Sequence, residues 1–277
     1  MNAASICPSP LHHEAANRPG LRAFAPNAAA VDEPRQNLLL ASLEADQLER
    51  WLTHLEPVNL PLGSVLHECG DRLNHVVFPT TAIVSLQQLL EDGAAVEVAL
   101  VGRDGMVGVS ALMGSDCVSA RAVVQSAGRG LRAPSRWLQQ ECEHGGPALR
   151  TLLRYTQSLM TQIGQTALCN RRHSVGQQLC RCLLRQLDLR PTNEFEMTHE
   201  LIAGALGVRR EGVTEAAGHL NRAGLISYRR GRITVHDRHG LEQRSCECYA
   251  ATRMVPARAT LRVAPQPRAN WAECMTA

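Results

Sequence analysis

Two arginines and a glutamate stand together at the start of a stretch that otherwise has small side chains. They are Arg209, Arg210 and Glu211, in the segment LGVRREGVTEAAGHLNRAGLI of residues 206–226. An arginine can donate two hydrogen bonds at once to O6 and N7 of a guanine, and a glutamate can accept one from N4 of a cytosine. The chemistry that these residue types indicate is the reading of base edges in a groove of DNA.

A helix is the element that would present these side chains together. With Val213 at the centre of the inner face, Ala217 and Leu220 fall within about 40° of it and Ala216 within about 60°. The inner face is therefore apolar and small. The outer face has no bulky apolar residue, so it could approach the floor of a major groove closely. Its residues are Glu211, Thr214, Glu215, Gly218 and Arg222, with Arg210 on the flank. The predicted base-reading residues are Arg210, Glu211, Thr214 and Glu215.

The segments around this helix follow the order of a winged helix-turn-helix. Residues 174–188 predict an amphipathic helix, and Thr198 can cap the short helix HELIAGAL. Gly207 supplies the turn, and residues 225–237 predict two strands around Arg230-Gly231. The intervening RPTNEF is expected to be a loop. The apolar residues that recur every four positions in the first helix are Val175, Leu179, Leu183 and Leu187.

Side chains near both ends of this unit could hold phosphates, which fixes the register of a protein on DNA without selecting a sequence. The charge of the chain supports this interpretation. Residues 1–170 carry 12 arginines against 16 acidic residues, whereas residues 171–277 carry 17 against 10, so the second half is the candidate for binding a polyanion. The predicted phosphate contacts are Thr198, Arg209, Arg229, Arg230 and Arg232.

The first half of the chain has a different residue pattern. From Val58 to Ala133, brief runs rich in Val, Leu and Ile are separated by turn dipeptides such as Asp92-Gly93 and Asp104-Gly105. This pattern predicts a compact antiparallel sandwich or roll, which can enclose a small ligand. Before it, residues 1–36 have no apolar period and are expected to form a flexible arm.

Three helices are predicted next to the roll, one before it and two after it. The first lies in SLEADQLERWLTHLEP, with Ser42 as its cap and Pro57 at its end, and PSRWLQQECEHG predicts the second. The third is long and covers residues 148–173. Its apolar seam fits a helix packed on its own domain and a coiled-coil dimer equally well. The first helix has the stripe Leu43, Leu48, Leu52 and Leu55, and the seam of the third is Leu149, Leu152, Thr156, Leu159, Ile163 and Thr166, flanked by Leu153, Met160 and Ala167.

The segment MTHELIAGALGVRREGVTEAAGHLNRAGLISYRRGRITVHD resembles the winged helix of the Crp/Fnr family of bacterial transcription regulators, with Arg210-Glu211 at the positions of its base-reading pair. The resemblance covers roughly residues 37–250. It implies an α+β fold and a homodimer that binds a palindromic operator, with RNA polymerase as a further candidate partner. The predicted divisions are an arm (1–36), an effector-like roll (37–147), a dimerisation helix (148–173), a winged helix-turn-helix (174–250) and a flexible tail (251–277).

Two features depart from the pattern of this family. Members that bind cyclic AMP carry a Gly-Glu pair for the ribose and an Arg-Ala pair for the phosphate. Here Gly108 is followed by Val109, which cannot accept a hydrogen bond, while Arg121-Ala122 is retained. The sequence therefore disfavours a cyclic nucleotide, leaves Gly108, Arg121 and Ala122 as an effector pocket for an unknown ligand or none, and predicts no cofactor. The second departure is Glu215, where relatives often have another arginine.

The cysteines and histidines predict neither a metal site nor catalysis. Fnr-type relatives hold an iron–sulfur cluster with closely spaced N-terminal cysteines, but this chain has only Cys7 in that region. Cys180 and Cys182 lie about 200° apart around a helix and cannot share a metal. Cys246 and Cys248 could converge, but two further ligands are not evident, so buried or incidental thiols are expected. No hydrolase, P-loop or dinucleotide motif is present.

These observations together predict a cytoplasmic, homodimeric, sequence-specific DNA-binding regulator and not an enzyme. No run of about 18 to 20 apolar residues suggests a membrane span, and no secretory signal is expected. The alternative from another class is a small-molecule-binding signalling module whose winged helix contacts protein instead of DNA.

Overall fold

Two antiparallel sheets form the roll in the first half of the protein, whose computed structural model describes residues 33–115 and 117–253. One sheet has the strand order β1-β7-β3 and the other β2-β6-β4-β5. This is the roll that the alternation of short apolar runs and turn dipeptides predicts. The strands are β1 (Glu56–Leu60), β2 (Val65–His67), β3 (His75–Pro79), β4 (Ile83–Leu89), β5 (Ala95–Val101), β6 (Arg121–Ser126) and β7 (Gly128–Pro134).

Three short helices precede the roll: α1 (Glu33–Gln36), α2 (Leu38–Ala41) and α3 (Ala45–Leu52). Regular structure thus begins before the predicted boundary at residue 37, and the rest of the predicted arm lies outside the described residues. Asn37 caps α2 by accepting hydrogen bonds from the backbone N–H groups of its first turn. The buried Asn37 amide also donates to the carbonyl oxygens of Pro79 (2.8 Å) and Gly105 (2.9 Å), which fixes these helices on the roll.

The prediction that Ser42 caps the following helix is wrong. Its hydroxyl donates to the Leu39 carbonyl at 2.7 Å, so it closes α2, and α3 begins after Glu44 without a side-chain cap. Trp51 takes the inward position that the leucine stripe assigns to Leu52, which is exposed. Pro57 does not end the helix as predicted. The helix already ends at Leu52, and Pro57 lies in strand β1.

The long helix α5 (Pro147–Arg172) follows the predicted short helix α4 (Ser135–Glu143) and packs one face on the roll. Gln162 joins it to β5, because its side-chain oxygen accepts from the Leu100 N–H at 2.7 Å. Tyr155 donates its hydroxyl to the Met106 carbonyl at 2.7 Å. A Cβ on Gly105 would lie 2.3 Å from the Tyr155 ring, so only glycine allows this close approach.

Most of the predicted seam of α5 packs on the protein's own domain, and the coiled-coil dimer stays a prediction. Leu152, Thr156, Leu159 and Thr166 are buried on the protein's own roll. Leu153 and Met160 are exposed on the other side of the helix, whereas Ile163, which projects on the packed side, is 37% exposed. The helix therefore has one packed face and one unpacked apolar face.

The C-terminal half has its own core, formed where helices α6, α7 and α8 meet a small sheet of order β8-β10-β9. RPTNEF is not entirely a loop, because residues from Glu194 form the edge strand β8. Ser174 caps α6 in a reciprocal capping box with Gln177. The elements are α6 (Val175–Asp188), β8 (Glu194–Glu196), α7 (His199–Leu206), α8 (Arg210–Arg222), β9 (Ile226–Arg229), β10 (Arg232–Val235), α9 (Arg238–Arg244) and α10 (Cys248–Thr252).

Helix α10 lies against α5 and α6, and so returns the chain to the start of the second half. It extends to Thr252, whereas the flexible tail is predicted from residue 251, and residues 254–277 lie outside the described part. Among the helices described, none combines the length and the apolar content needed to cross a membrane.

Candidate nucleic-acid interface

Helix α8 turns its apolar face inward as the helical projection predicts. Val213, Ala217 and Leu220 are buried in the core of the second half, and Ala216 packs against its edge. Thr198 caps α7 by accepting from the Leu201 N–H at 3.2 Å, as predicted. Gly207 ends α7 with φ +65°, a left-handed conformation that glycine adopts without steric cost. The two helices therefore form the predicted helix-turn-helix.

The first turn of α8 projects its charged side chains into solvent. Arg210 and Glu211 are exposed, and the side chain of Arg210 is 66% accessible. Its Nε lies 3.9 Å from Glu200 Oε2, and so exposed and long an ion pair holds the guanidinium weakly. Glu215 is also exposed and lies 3.8 Å from Nε2 of His219, one turn along the helix. Arg210 is thus free to adopt another rotamer.

The structure gives Thr214 partners within the protein. Its hydroxyl donates to the Arg210 carbonyl at 3.0 Å and lies 3.0 Å from Nδ1 of His199. The His199 ring stacks on Tyr228, with 4.2 Å between the ring centroids. Tyr228 lies on the wing, which is the hairpin of β9 and β10. Burial, together with the nearby Arg210 charge, lowers the pKa of His199. His199 thus links α7, α8 and the wing, a role that no sequence motif indicates because its partners are distant in the chain.

The predicted phosphate-binding residues divide into two groups. Thr198, Arg209, Arg229 and Arg230 are exposed around the helix-turn-helix and at the wing. Arg230 and Gly231 have φ +51° and +79° and form the tight turn at the tip of the wing.

Arg232 has partners within the protein. Its guanidinium lies 2.8 Å from Glu194 and 3.0 Å from Glu196, both on the strand paired with its own. Its side chain is 55% exposed, so these are surface ion pairs, and its contact with a phosphate stays a prediction.

The structure gives the predicted effector residues neighbours within the protein, and their role as an effector pocket stays a prediction. Arg121 Nε lies 3.2 Å from Glu68 Oε2, and Ala122 is fully buried on β6. A Cβ on Gly108 would lie 3.2 Å from Leu73. The roll does have a cavity of about 250 Å³, but none of these three residues lines it. Its walls include Leu66, His67, Asp71, Arg72, His75 and Arg132.

Four side chains with metal-binding atoms lie close together at the end of α5. Cys169 and His173 meet Cys246 and Cys248 there. The expectation that the last two cysteines lack further partners is therefore wrong. A signal for it is present in the sequence, because Cys169 and His173 are four residues apart at the end of the predicted long helix.

Comparisons with known proteins agree with this geometry. Residues 177–244 match the family model of the Crp-like helix-turn-helix domain. No curated protein matches the chain as a sequence relative.

Several solved structures share the fold. FixK2 from Bradyrhizobium japonicum is 16% identical with a TM-score of 0.60, over 69% of this chain and 98% of that one. The c-di-GMP responsive global regulator CLP of Xanthomonas campestris is 17% identical with a TM-score of 0.56, over 70% and 100%. A Crp/Fnr-family transcriptional regulator from Thermus thermophilus is 23% identical with a TM-score of 0.55, over 69% and 98%.

A helix-turn-helix with a β-wing, joined through a long helix to an antiparallel roll, defines a two-part architecture for this chain. It is the fold of the Crp/Fnr-type DNA-binding transcription regulators, and residues 177–244 form a Crp-like helix-turn-helix domain. The resemblance predicted from the sequence is confirmed.

Proposed function

We propose that two copies of this chain bind a palindromic DNA site, with α8 of each copy in the major groove and with Arg210 and Glu211 reading bases. The observation that carries the proposal is the first turn of α8, which is charged, exposed and held by a complete helix-turn-helix. Bidentate contacts from an arginine in this position suit guanine, and a glutamate suits cytosine. The outer face of α8 offers charge instead of apolar area, which favours a duplex over a protein partner.

The exposed face of α5 supports the homodimer. Leu153 and Met160 are 50% and 60% exposed, and Gly164 and Ala167 follow them on the same side of the helix. Leucine and methionine beside small residues allow two copies of the helix to approach closely and bury this stripe. The dimer would place two recognition helices about 34 to 36 Å apart, one turn of DNA, and would require a site with two matching half-sites.

Thr198, Arg209, Arg229 and Arg230 would hold phosphates on either side of the groove. The proposal places the dimer in the cytoplasm, with RNA polymerase as the partner through which a bound regulator changes transcription. The roll would act as the regulatory part, since α6 rests directly on it through Arg185 and Asp104.

The test is selection of bound fragments from random DNA, followed by fluorescence anisotropy on the recovered site and on base-substituted versions. Arg210→Ala should reduce discrimination at one base pair of each half-site, by about 1–3 kcal/mol. Arg230→Ala should weaken binding to all sequences alike. Arg136→Ala, an exposed arginine on α4, is the matched control and should change neither. If Arg210→Ala and Arg230→Ala both bind duplexes as the wild type does, the proposal is wrong.

A further inference from the structure

The cluster at the end of α5 has the dimensions of a single-metal site. Its four ligand atoms, from Cys169, His173, Cys246 and Cys248, all lie within 4.8 Å of one another. The Sγ atoms of Cys169 and Cys246 are 3.5 Å apart, and Cys248 Sγ is 3.6 Å from His173 Nδ1. Bonds of about 2.3 Å to sulfur and about 2.1 Å to nitrogen give tetrahedral edges of about 3.5 to 3.8 Å. These two separations are close to tetrahedral edges, and because no pair of the four atoms is more than 4.8 Å apart, small side-chain movements would bring all four to one tetrahedral ion.

The His173 ring is held in the orientation that a metal ligand needs. Its Nε2 lies 3.3 Å from Oε1 of Glu247, the residue between the two C-terminal cysteines. A proton on Nε2, facing this carboxylate, leaves the lone pair of Nδ1 directed at the thiols. A carboxylate behind a ligating histidine is the usual outer partner in metal sites.

The surroundings hold the three cysteines out of solvent and close to positive charge. Cys169, Cys246 and Cys248 form a separate buried cluster whose buried members are these cysteines alone. Gln178 donates to the carbonyl oxygens of His173 (2.8 Å) and Cys169 (3.5 Å), which fixes the end of α5. The guanidinium of Arg181, which donates to the Thr166 hydroxyl at 3.3 Å, lies close enough to the Cys169 thiol to interact with it. Three thiolates and a divalent cation carry a net charge of −1, which this arginine would offset.

We propose that Cys169, His173, Cys246 and Cys248 bind one zinc ion with tetrahedral geometry. Three thiolates and one imidazole are a ligand set of structural zinc sites, and with four protein ligands no position stays open for a substrate. The short separations favour one ion over a cluster of several irons, because a cluster places its thiolates on different iron atoms.

The position of the site suggests what the ion does. His173 is the residue between α5 and the cap of α6, and Cys248 is the first residue of α10. The ion would therefore join the end of the chain's winged helix domain to the junction of α5 and α6. Because binding energy at a structural zinc site is folding energy, it would stabilise this junction.

Metal analysis of the untagged full-length chain, purified from zinc-supplemented cells, tests the proposal. About one zinc per chain is expected in the wild type, as are the d–d bands of a tetrahedral ion and a thiolate charge-transfer band after replacement by cobalt(II). Cys169→Ser and Cys248→Ser should lose both. Cys182→Ala, a buried cysteine outside the cluster, and the half-buried Cys69→Ser should retain both.

The wild-type measurements stand even if a variant fails to fold. Wild-type protein that lacks stoichiometric zinc and gives no tetrahedral cobalt spectrum would overturn the proposal. So would acid-labile sulfide with iron, a Cys169–Cys246 disulfide in protein purified without oxidant, or unchanged zinc content in folded Cys169→Ser and Cys248→Ser. None of these outcomes depends on whether the chain binds DNA.

Discussion

Arg185 Nη2 lies 2.7 Å from Asp104 Oδ2, and this ion pair joins the helix-turn-helix half of the molecule to its roll. The two side chains are only 10% and 13% exposed, so the pair is largely removed from water. Gln186 donates to Gln125 on β6 at 2.5 Å, directly beside it. Helix α6 is therefore fixed to the roll at two adjacent residues.

Breaking the Arg185–Asp104 pair should destabilise the protein strongly, because the remaining charge is buried without its partner. Asp104→Ala is expected to lower the free energy of unfolding by about 3–5 kcal/mol. The double variant Asp104→Leu with Arg185→Met should lose less, since neither charge then remains. Urea denaturation of wild type, single and double variants measures both effects. Equal losses in the single and double variants would mean that the pair contributes nothing beyond its packing.

The elements that local sequence signals specify were predicted best. Thr198 and Gly207 act within four residues of their own positions, so their capping and turn roles can be recognised from the sequence. The prediction for Ser42 is wrong because this residue lies between two helices, and its hydroxyl closes the first helix instead of capping the second. The pairing of Arg232 with Glu194 and Glu196 depends on β8, a three-residue strand that has no pattern of its own.

The cysteine cluster shows the limit most clearly. Cys169 and Cys246 are 77 positions apart, and only the path of α9 and α10 back to α5 brings them together. In the sequence alone, Cys169 with His173 and Cys246 with Cys248 are two separate pairs of possible ligands. The orientation of α5 is also not predicted from the sequence. Leu152 and Leu153 are both apolar, and their positions in the sequence do not indicate which of the two contacts the roll.

Glu97 should make stability depend on pH in an unusual direction. Burial raises the pKa of this carboxyl from 4.5 to about 7, although Ser85 and Gln125 donate hydrogen bonds to it at 2.8 and 3.0 Å. The raised pKa means that the folded state prefers protonated Glu97. Its stabilising contribution is full below pH 4.5 and is lost as the pH rises to about 7.

Glu97→Gln, which keeps the shape without the charge, is expected to gain stability relative to wild type across that range and to hold a constant advantage above it. Denaturation of both proteins at several pH values from about 4 to about 9 gives the comparison. A difference that is independent of pH would show that Glu97 titrates normally. Glu91→Gln, on an exposed turn next to the same sheet, is the control and should show no such trend.

The exposed stripe on α5 predicts how the dimer can be separated. Met160→Glu places two like charges against each other across the proposed helix pair, where desolvation and repulsion both oppose association. We expect a monomer by sedimentation velocity at concentrations where wild type is a dimer, with weaker DNA binding as a consequence. Leu62→Glu, an equally exposed apolar residue on the roll, should leave the dimer intact. A dimeric Met160→Glu protein would place the interface elsewhere.

Glu194 and Glu196 should weaken DNA binding, because they hold the side chain of Arg232. Glu194→Gln with Glu196→Gln leaves the strand pairing of β8 and β10 in place, because that pairing uses the backbone. The double variant removes two negative charges from each protomer and frees Arg232 to contact the phosphate backbone of the bound DNA. Affinity for duplex DNA should rise, and the slope of log affinity against log salt should steepen by about one per protomer. Anisotropy titrations at several salt concentrations measure both quantities. With Arg232→Ala added to the two changes, the steeper slope should disappear. If it persists, the effect comes from the lost negative charge alone and Arg232 does not reach a phosphate.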